Sequence, residues 1–189
     1  MGTPAVHRHR WNRREYERAV AAGVFAPGAR LELVDGEIVE MTPQGSRHAV
    51  AVQLVEEAQR RLFPAGFSVR VQMPLALDEV SEPEPDLAVV RGAPRDHVAR
   101  HPGPGDALLV VEVAEATLAW DRDVKAALYA RAGVPECWVV DVAGRALHVM
   151  REPAPGGYGG RCVLGPGDQA LPVAAPPGGE PVRVADLLP

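Results

Sequence analysis

Lysine is nearly absent from this sequence of 189 residues. Of its 20 lysine and arginine residues, 19 are arginine, and Lys125 is the one lysine. A lysine amine is a compact donor whose pKa shifts with its surroundings, whereas a guanidinium is a planar fork that stays charged. The alternative is that a lysine at position 125 has no function and reflects neutral drift in a sequence that favours arginine. The neighbouring residues decide between these interpretations.

Cysteine and long apolar runs are also scarce. Cys137 and Cys162 are too few for a disulfide framework and lack the spacing of zinc ligands. Cys137 lies beside Trp138 in an apolar stretch, which indicates a small buried hydrophobe. No apolar run approaches the ~20 residues needed to span a membrane, and no basic start is followed by a long apolar segment. We therefore expect a cytoplasmic protein without a membrane partner.

The length and composition are ordinary for one globular domain. We expect a single domain over residues 1–189, with an N-terminal helix and arm at 1–29, a core at 30–151 and a Gly/Pro-rich β extension at 152–189. The net charge of −5 argues mildly against nonspecific DNA binding. The densest basic segment is 7–14. It indicates either an arm that binds phosphates or the solvated face of a short helix, and the second interpretation is favoured.

The neighbours of Lys125 predict one helix over residues 117–132. Thr117 is a candidate N-cap, and Gly133-Val-Pro135 ends the pattern. At i, i+4 and i+8 one face would carry Asp121, Lys125 and Tyr129. The apolar stripe would consist of Val124, Ala127 and Leu128.

Two carboxylates stand at the ends of apolar runs that are typical of buried strands. Glu112 is near the end of the run 106–114, and Asp86 follows Pro85 at the start of the run 87–91. A surface acid just past a strand end is the alternative for Glu112, because burying a lone carboxylate is costly. If the strands are adjacent, these two acids and Lys125 converge. They would then hold a divalent cation and assist attack of water on a phosphate.

The remaining patterns predict a mixed α/β fold, with a mixed central sheet flanked by helices. Asp35-Gly36 predicts a tight turn between strands at 31–34 and 38–41. Helices are predicted near 11–22 and at 46–62. Further strands are predicted at 67–73, 75–77, 87–91, 137–142 and 145–151. Beyond Pro153 the Gly/Pro-rich chain predicts a terminal β meander at the sheet edge.

The ordered motifs resemble the Uma-type restriction endonuclease family of the PD-(D/E)XK nuclease superfamily. They span roughly residues 30–141 and are far more specific together than singly. They comprise Glu32-Leu-Val-Asp-Gly36, Ser46-Arg-His48, Glu84-Pro-Asp86, Val111-Glu112-Val113, Asp121-x-x-x-Lys125-x-x-x-Tyr129 and Gly133-Val-Pro-Glu136-x-Trp138-Val-Val-Asp141. The resemblance implies a restriction-endonuclease-like core with the N-terminal hairpin and the C-terminal β meander.

The resemblance also implies a Mg²⁺ site, with Mn²⁺ as a substitute. Asp86 and Glu112 would be ligands, together with the backbone carbonyl of Val113, and Lys125 would assist the attacking water. The chain departs from the superfamily at Ala114, the usual place of the lysine, so the amine must come from the helix. Glu115 and Ala116 replace a common serine and proline, which bears on the local loop and on activity.

Three auxiliary residues have open alternatives. Glu32 is a third metal-site acid by resemblance, or a solvent-facing strand residue. His48 contacts the site, or is a helix-start histidine with a satisfied hydrogen bond. Asp121 binds metal or orients Lys125 through an i, i+4 ion pair, and orientation is favoured.

These interpretations predict a metal-dependent endonuclease that hydrolyses phosphodiester bonds in DNA. The alternative is a catalytically silent nucleic-acid-binding or protein-interaction module on the same scaffold, which Ala114, Glu115 and the acidic balance favour. A hydrolase of small phosphoesters is a weaker option. A homodimer is expected, because an enzyme with two active sites can most simply cut both strands of a DNA duplex.

Overall fold

The computed structural model describes residues 7–189 and contains three α-helices and ten strands in that range. The helices are α1 (Arg13–Ala21), α2 (Ser46–Leu62) and α3 (Ala126–Ala132), the last preceded by a π-helical segment, Trp120–Lys125. The strands are β1 (Leu31–Val34), β2 (Glu37–Glu40), β3 (Phe67–Val71), β4 (Leu87–Arg91), β5 (Ala107–Ala114), β6 (Glu136–Asp141), β7 (Ala146–Ala154), β8 (Gly157–Leu164), β9 (Gln169–Ala170) and β10 (Val182–Arg183). None of the helices in residues 7–189 is both long enough and apolar enough to cross a membrane.

A mixed six-stranded sheet forms the centre, in the order β3-β4-β5-β6-β7-β8. Only the β5–β6 pair is parallel, and the helix before β6 makes the crossover between these two strands. All eight residues of β5 are buried, as its continuous apolar run predicted. The predicted mixed α/β fold with flanking helices is confirmed.

The two faces of the sheet bury different elements. On one face, called here the α2 face, Val55 of α2 packs with Leu109 and Val111 of β5. On the other, the α3 face, Val110 and Ala114 of β5 pack with residues of α3. Because side chains alternate along a strand, Glu112 points to the α3 face, between Val110 and Ala114.

The N-terminal hairpin has the predicted turn. Asp35 and Gly36 both adopt positive φ, 49° and 77°, as a two-residue Asp-Gly turn requires. Leu33 exchanges backbone hydrogen bonds with Glu82, so the hairpin is tied to the segment that leads into β4. The strand β1 is thereby brought against the central sheet, with Glu32, Leu33 and Val34 all buried.

The strand predicted at 75–77 is wrong. The N–H groups of Leu75 and Leu77 donate to the carbonyls of Pro83 and Ser81, so this segment folds onto the following loop rather than joining a sheet. The preceding strand β3 also ends at Val71, two residues earlier than predicted. Gln72 has φ of 50°, which turns the chain out of the extended conformation.

The C-terminal meander is more deeply packed than its composition indicated. β8 extends the central sheet as an edge strand, and β9 and β10 form a separate two-stranded sheet. The short 3₁₀ turn Val184–Leu187 then buries Val184 and Leu187 in the core on the α2 face. These terminal residues therefore share a hydrophobic core with α2 and the central sheet.

Glu82 is an acid buried between the hairpin and α1. Its side chain is nearly inaccessible, and Arg13 Nε lies 3.8 Å from Glu82 Oε2. Burial raises the pKa of Glu82 to about 7, and the nearby charges of Glu17 and Glu84 also raise it while Arg13 lowers it. The folded protein consequently holds a proton on Glu82 at pH values where the unfolded chain has lost it.

We predict that Glu82 makes the free energy of unfolding fall as pH rises from about 4.5 to about 7. Glu82→Gln should remove this part of the slope, a difference on the order of 1 to 2 kcal/mol across the window. Urea unfolding at several pH values measures it. Glu57→Gln, an exposed acid on α2, is the control and should keep the wild-type slope. Equal slopes for Glu82→Gln and wild type would contradict the prediction.

Candidate active site

Asp86 and Glu112 meet where β4 begins and β5 ends. The antiparallel pairing of Leu87 with Val111 makes the two acids neighbours across the strands. The Asp86 N–H is directed at Glu112 Oε2, at 3.4 Å, and the Val113 N–H donates to Asp86 Oδ2 at 2.9 Å. The sequence predicted that these acids converge if their strands are adjacent, and the pairing of β4 with β5 brings their carboxylates to one end of the sheet.

Asp86 is held by a network of hydrogen bonds. His48 Nε2 lies 3.0 Å from Asp86 Oδ1, and Gln72 Nε2 donates to the same oxygen at 3.1 Å. Burial alone would raise the pKa of Asp86, but the hydrogen bond and charge of His48, with the Val113 amide, lower it. Burial would likewise lower the pKa of His48, and its bond to Asp86 raises it instead. Asp86 is thus held ionised in a fixed orientation.

Gln72 is a site residue that sequence reasoning missed. Its backbone N–H donates to the Asp86 carbonyl at 3.2 Å, because β3 runs antiparallel to β4 and ends beside the start of β4. Predicting this contact would have required knowing that β3 pairs with β4. An amide side chain at position 72 gives no other indication of a role in the site.

One oxygen of Glu112 is contacted by two side chains, an ammonium and a hydroxyl. Lys125 Nζ lies 2.8 Å from Glu112 Oε1, and the Tyr129 hydroxyl donates to the same atom at 2.5 Å. Burial raises the pKa of Glu112 to about 8; Lys125 opposes this shift, while Asp121, Asp86 and Glu32 add to it. Burial would lower the pKa of Lys125, but Glu112 and Glu32 raise it well above its ordinary value. The ammonium therefore stays charged in the protein interior.

Glu32 is the second partner of Lys125. Its Oε1 lies 3.2 Å from Lys125 Nζ, and the residue is only 1% exposed, so the solvent-facing alternative is wrong. The reason is the docking of the hairpin, which covers both faces of β1 over Glu32–Val34. Glu32 Oε2 has no hydrogen-bond partner among the described residues. This leaves a buried acceptor next to the ammonium.

The helix that carries Lys125 is not regular. The backbone N–H of Ala126 donates to the Asp121 carbonyl five residues back, which is the π-helical pattern. The wider turn buries Asp121 and Lys125 and leaves Val124 37% exposed, so the predicted apolar stripe is wrong at Val124. The i→i+5 segment shifts the buried face relative to an α-helix.

Asp121 takes a different partner from the one favoured by its spacing. Its Oδ2 accepts a hydrogen bond of 2.5 Å from Thr117 Oγ1, whereas Lys125 in the described structure pairs with Glu112 and Glu32. Burial raises the pKa of Asp121 to about 6, although Lys125 and Thr117 lower it. Asp121 thus contributes charge near Lys125 rather than a direct ion pair.

A cavity of about 160 Å³ opens beside these groups. Asp86, Glu112 and Asp121 line it, with Arg30 and His48 supplying basic groups in its wall. Lys125 is fully buried behind Glu112 and does not line the cavity. A molecule in the cavity would therefore meet the carboxylates first.

The donor set suits a hard cation. In residues 7–189, no three His, Cys, Asp or Glu side chains are arranged around one point as metal ligands. Mg²⁺ is commonly held by one or two carboxylates with phosphate oxygens and waters, so Asp86 and Glu112 meet its requirement. Three buried acids, Glu32, Glu112 and Asp121, lie near Lys125, and burial raises the pKa of Glu112 to about 8. A divalent cation would relieve the same excess of negative charge.

Ala114 is buried in the core of the α3 face, where its methyl group packs. Lys125, on the helix, places an amine 2.8 Å from Glu112 Oε1. The Val113 amide binds Asp86, and metal ligation by the Val113 carbonyl stays a prediction.

Comparisons with known proteins agree with this architecture. A search of curated proteins found no match. Among solved structures, the chain is similar to a crystal structure of a "putative nuclease belonging to DUF820" from Anabaena variabilis ATCC 29413, with a TM-score of 0.59 and 14% identity over 83% of this chain and 88% of that one. At this identity the likeness concerns the fold. The family model described as "Putative restriction endonuclease" matches residues 13–184. The match covers most of the sequence, and the chain belongs to this family, Uma2.

Proposed function

We propose that this protein is a metal-dependent endonuclease that hydrolyses phosphodiester bonds in DNA. The observation that carries the proposal is the meeting of Asp86 and Glu112 at one wall of a cavity, with Lys125 directly behind Glu112. The family description supports a nuclease, and the arrangement of acids supports a divalent cation.

Asp86 and Glu112 would hold Mg²⁺, with Mn²⁺ as a substitute and the Val113 carbonyl as a further ligand. When bound, the ion would polarise the phosphate and make a water a better nucleophile. The chain's part is orientation: His48, Gln72 and the Val113 amide hold Asp86, so that its carboxylate stays ionised. A carboxylate fixed in this way need not reorganise as charge develops.

Lys125 would act through its charge. Lys125 has no exposed surface, so its ammonium does not reach water in the cavity. It lies 2.8 Å from Glu112 Oε1 and would therefore be near a phosphate held beside Glu112. A buried positive charge there would offset the negative charge that grows as water attacks, and the exclusion of water around it would strengthen the effect. This role needs an amine that stays protonated.

DNA is the proposed substrate despite the net charge of −5. The negative count includes the buried acids of the site, which a metal ion would neutralise. Arg30 and His48 in the cavity wall, and the basic segment at 7–14, are the groups available for phosphate contacts.

Cleavage of supercoiled plasmid tests the assignment. With Mg²⁺ or Mn²⁺, Asp86→Asn and Glu112→Gln should lower the rate by about 100-fold or more, since each removes a charge that organises the site. Lys125→Ala should lower it similarly by leaving Glu112 without its cation. Asp106→Asn is the matched control, because Asp106 also precedes a strand but pairs with Arg100 away from the cavity.

Activity that persists in all three site variants would mark a contaminating nuclease and overturn the site. Wild-type protein that binds no divalent cation and cleaves neither duplex nor single-stranded DNA would support the silent binding module instead.

Metal binding gives a separate prediction. Because Glu112 has a pKa of about 8 without metal, a cation must displace its proton, so Mn²⁺ affinity should rise as pH increases from about 6 to about 8. At 100 times its dissociation constant, the ion should stabilise the fold by about 2.7 kcal/mol. Calorimetry and thermal unfolding measure both effects. Asp86→Asn should abolish the stabilisation, and a shift that survives in this variant would place the ion elsewhere.

A further inference from the structure

We propose that Tyr129 is a positioning residue that fixes the orientation of the Glu112 carboxyl group toward the metal. The inference rests on the proposed function, since it concerns a ligand of that site. No role for Tyr129 follows from its place in the sequence alone, where it is one more residue on the face of Lys125.

Two donors converge on a single atom. The Tyr129 hydroxyl donates to Glu112 Oε1 at 2.5 Å and Lys125 Nζ lies 2.8 Å from the same oxygen, while Oε2 is the oxygen near the Asp86 amide, at 3.4 Å. A carboxylate held at one oxygen by donors from two side chains cannot rotate about its terminal bond without losing both contacts. Oε2 is consequently the oxygen presented toward Asp86.

The helix geometry explains why both donors reach Glu112. The π-helical segment ends at Lys125, and regular α-helix begins at Ala126. From Lys125 to Tyr129 the chain therefore advances by about one α-helical turn, which stacks the two side chains on one face. Both are fully buried against the α3 face, where Glu112 points.

A second buried tyrosine shows what an ordinary structural hydroxyl does here. Tyr158 donates to the Val134 backbone carbonyl at 2.9 Å, in the same hydrophobic cluster. Tyr129 instead donates to the carboxyl group of Glu112, through a shorter bond that is charge-assisted when Glu112 is ionised, as it is with a cation bound.

The test compares Tyr129→Phe with Tyr158→Phe in the full chain. Each deletes one buried hydroxyl, so each should lower the melting temperature, Tyr129→Phe by at least as much as Tyr158→Phe. By calorimetry, Mn²⁺ should bind Tyr129→Phe roughly 10- to 100-fold more weakly than wild type, and Tyr158→Phe with wild-type affinity. In plasmid cleavage, Tyr129→Phe should need correspondingly more Mg²⁺ for half-maximal rate and recover much of kcat at saturating metal.

Wild-type metal affinity and metal dependence in Tyr129→Phe would overturn the role of Tyr129 and leave the nuclease assignment intact. An equal loss of affinity in both phenylalanine variants would also overturn it, because the effect would then be structural. Absence of metal binding and cleavage in the wild type would overturn both proposals. If Tyr129→Phe does not fold, difluorotyrosine at position 129 keeps the ring and strengthens the donor; unchanged Mn²⁺ affinity would then overturn the inference.

Discussion

The contact between Lys125 and Glu112 is the interaction on which the site depends. It joins the irregular helix to the central strand β5, and through Glu32 it also reaches the N-terminal hairpin. A buried ion pair is costly to desolvate, and removing one partner of such a pair typically costs about 3–5 kcal/mol. Three separate parts of the chain must therefore be in place before this charge can be buried.

Negative charge is in excess around that ammonium. Glu32, Glu112 and Asp121 lie near Lys125, with Asp86 one strand away, and all are buried. The structure balances only part of this charge internally, through the hydrogen bonds of His48, Thr117 and Tyr129. A site of this kind is polarised in advance toward a cation, and that is the physical link between the fold and the proposed chemistry.

Local patterns predicted much of the fold. The helix 46–62 was located to the residue because its apolar positions recur at helical spacing, and the Asp-Gly turn set the hairpin because few residues adopt two successive positive φ values. The convergence of Asp86, Glu112 and Lys125 on one end of the sheet followed from acids at strand ends. Each of these features depends on a short stretch of sequence.

Features that depend on distant packing were not predictable. The burial of Glu32 needs the hairpin docked through Leu33 and Glu82, and the contact of Gln72 with Asp86 needs the pairing of β3 with β4. Val124 is exposed in a π-helical turn, and the i, i+4 spacing of the residues predicts a regular α-helix there instead. Each depends on tertiary geometry that overrides local preference.

The π-helical segment also has an evolutionary consequence. A turn of this kind accommodates one residue more than an α-helix of the same span, so a single-codon insertion or deletion in Trp120–Lys125 is the natural step between the two forms. Because the wider turn absorbs the extra residue, the parts of the helix on either side keep their phase, whereas a residue added to a regular α-helix rotates one part by about 100° relative to the other. Loss of one codon within Trp120–Lys125 would therefore restore a regular α-helix without turning Tyr129 away from Glu112.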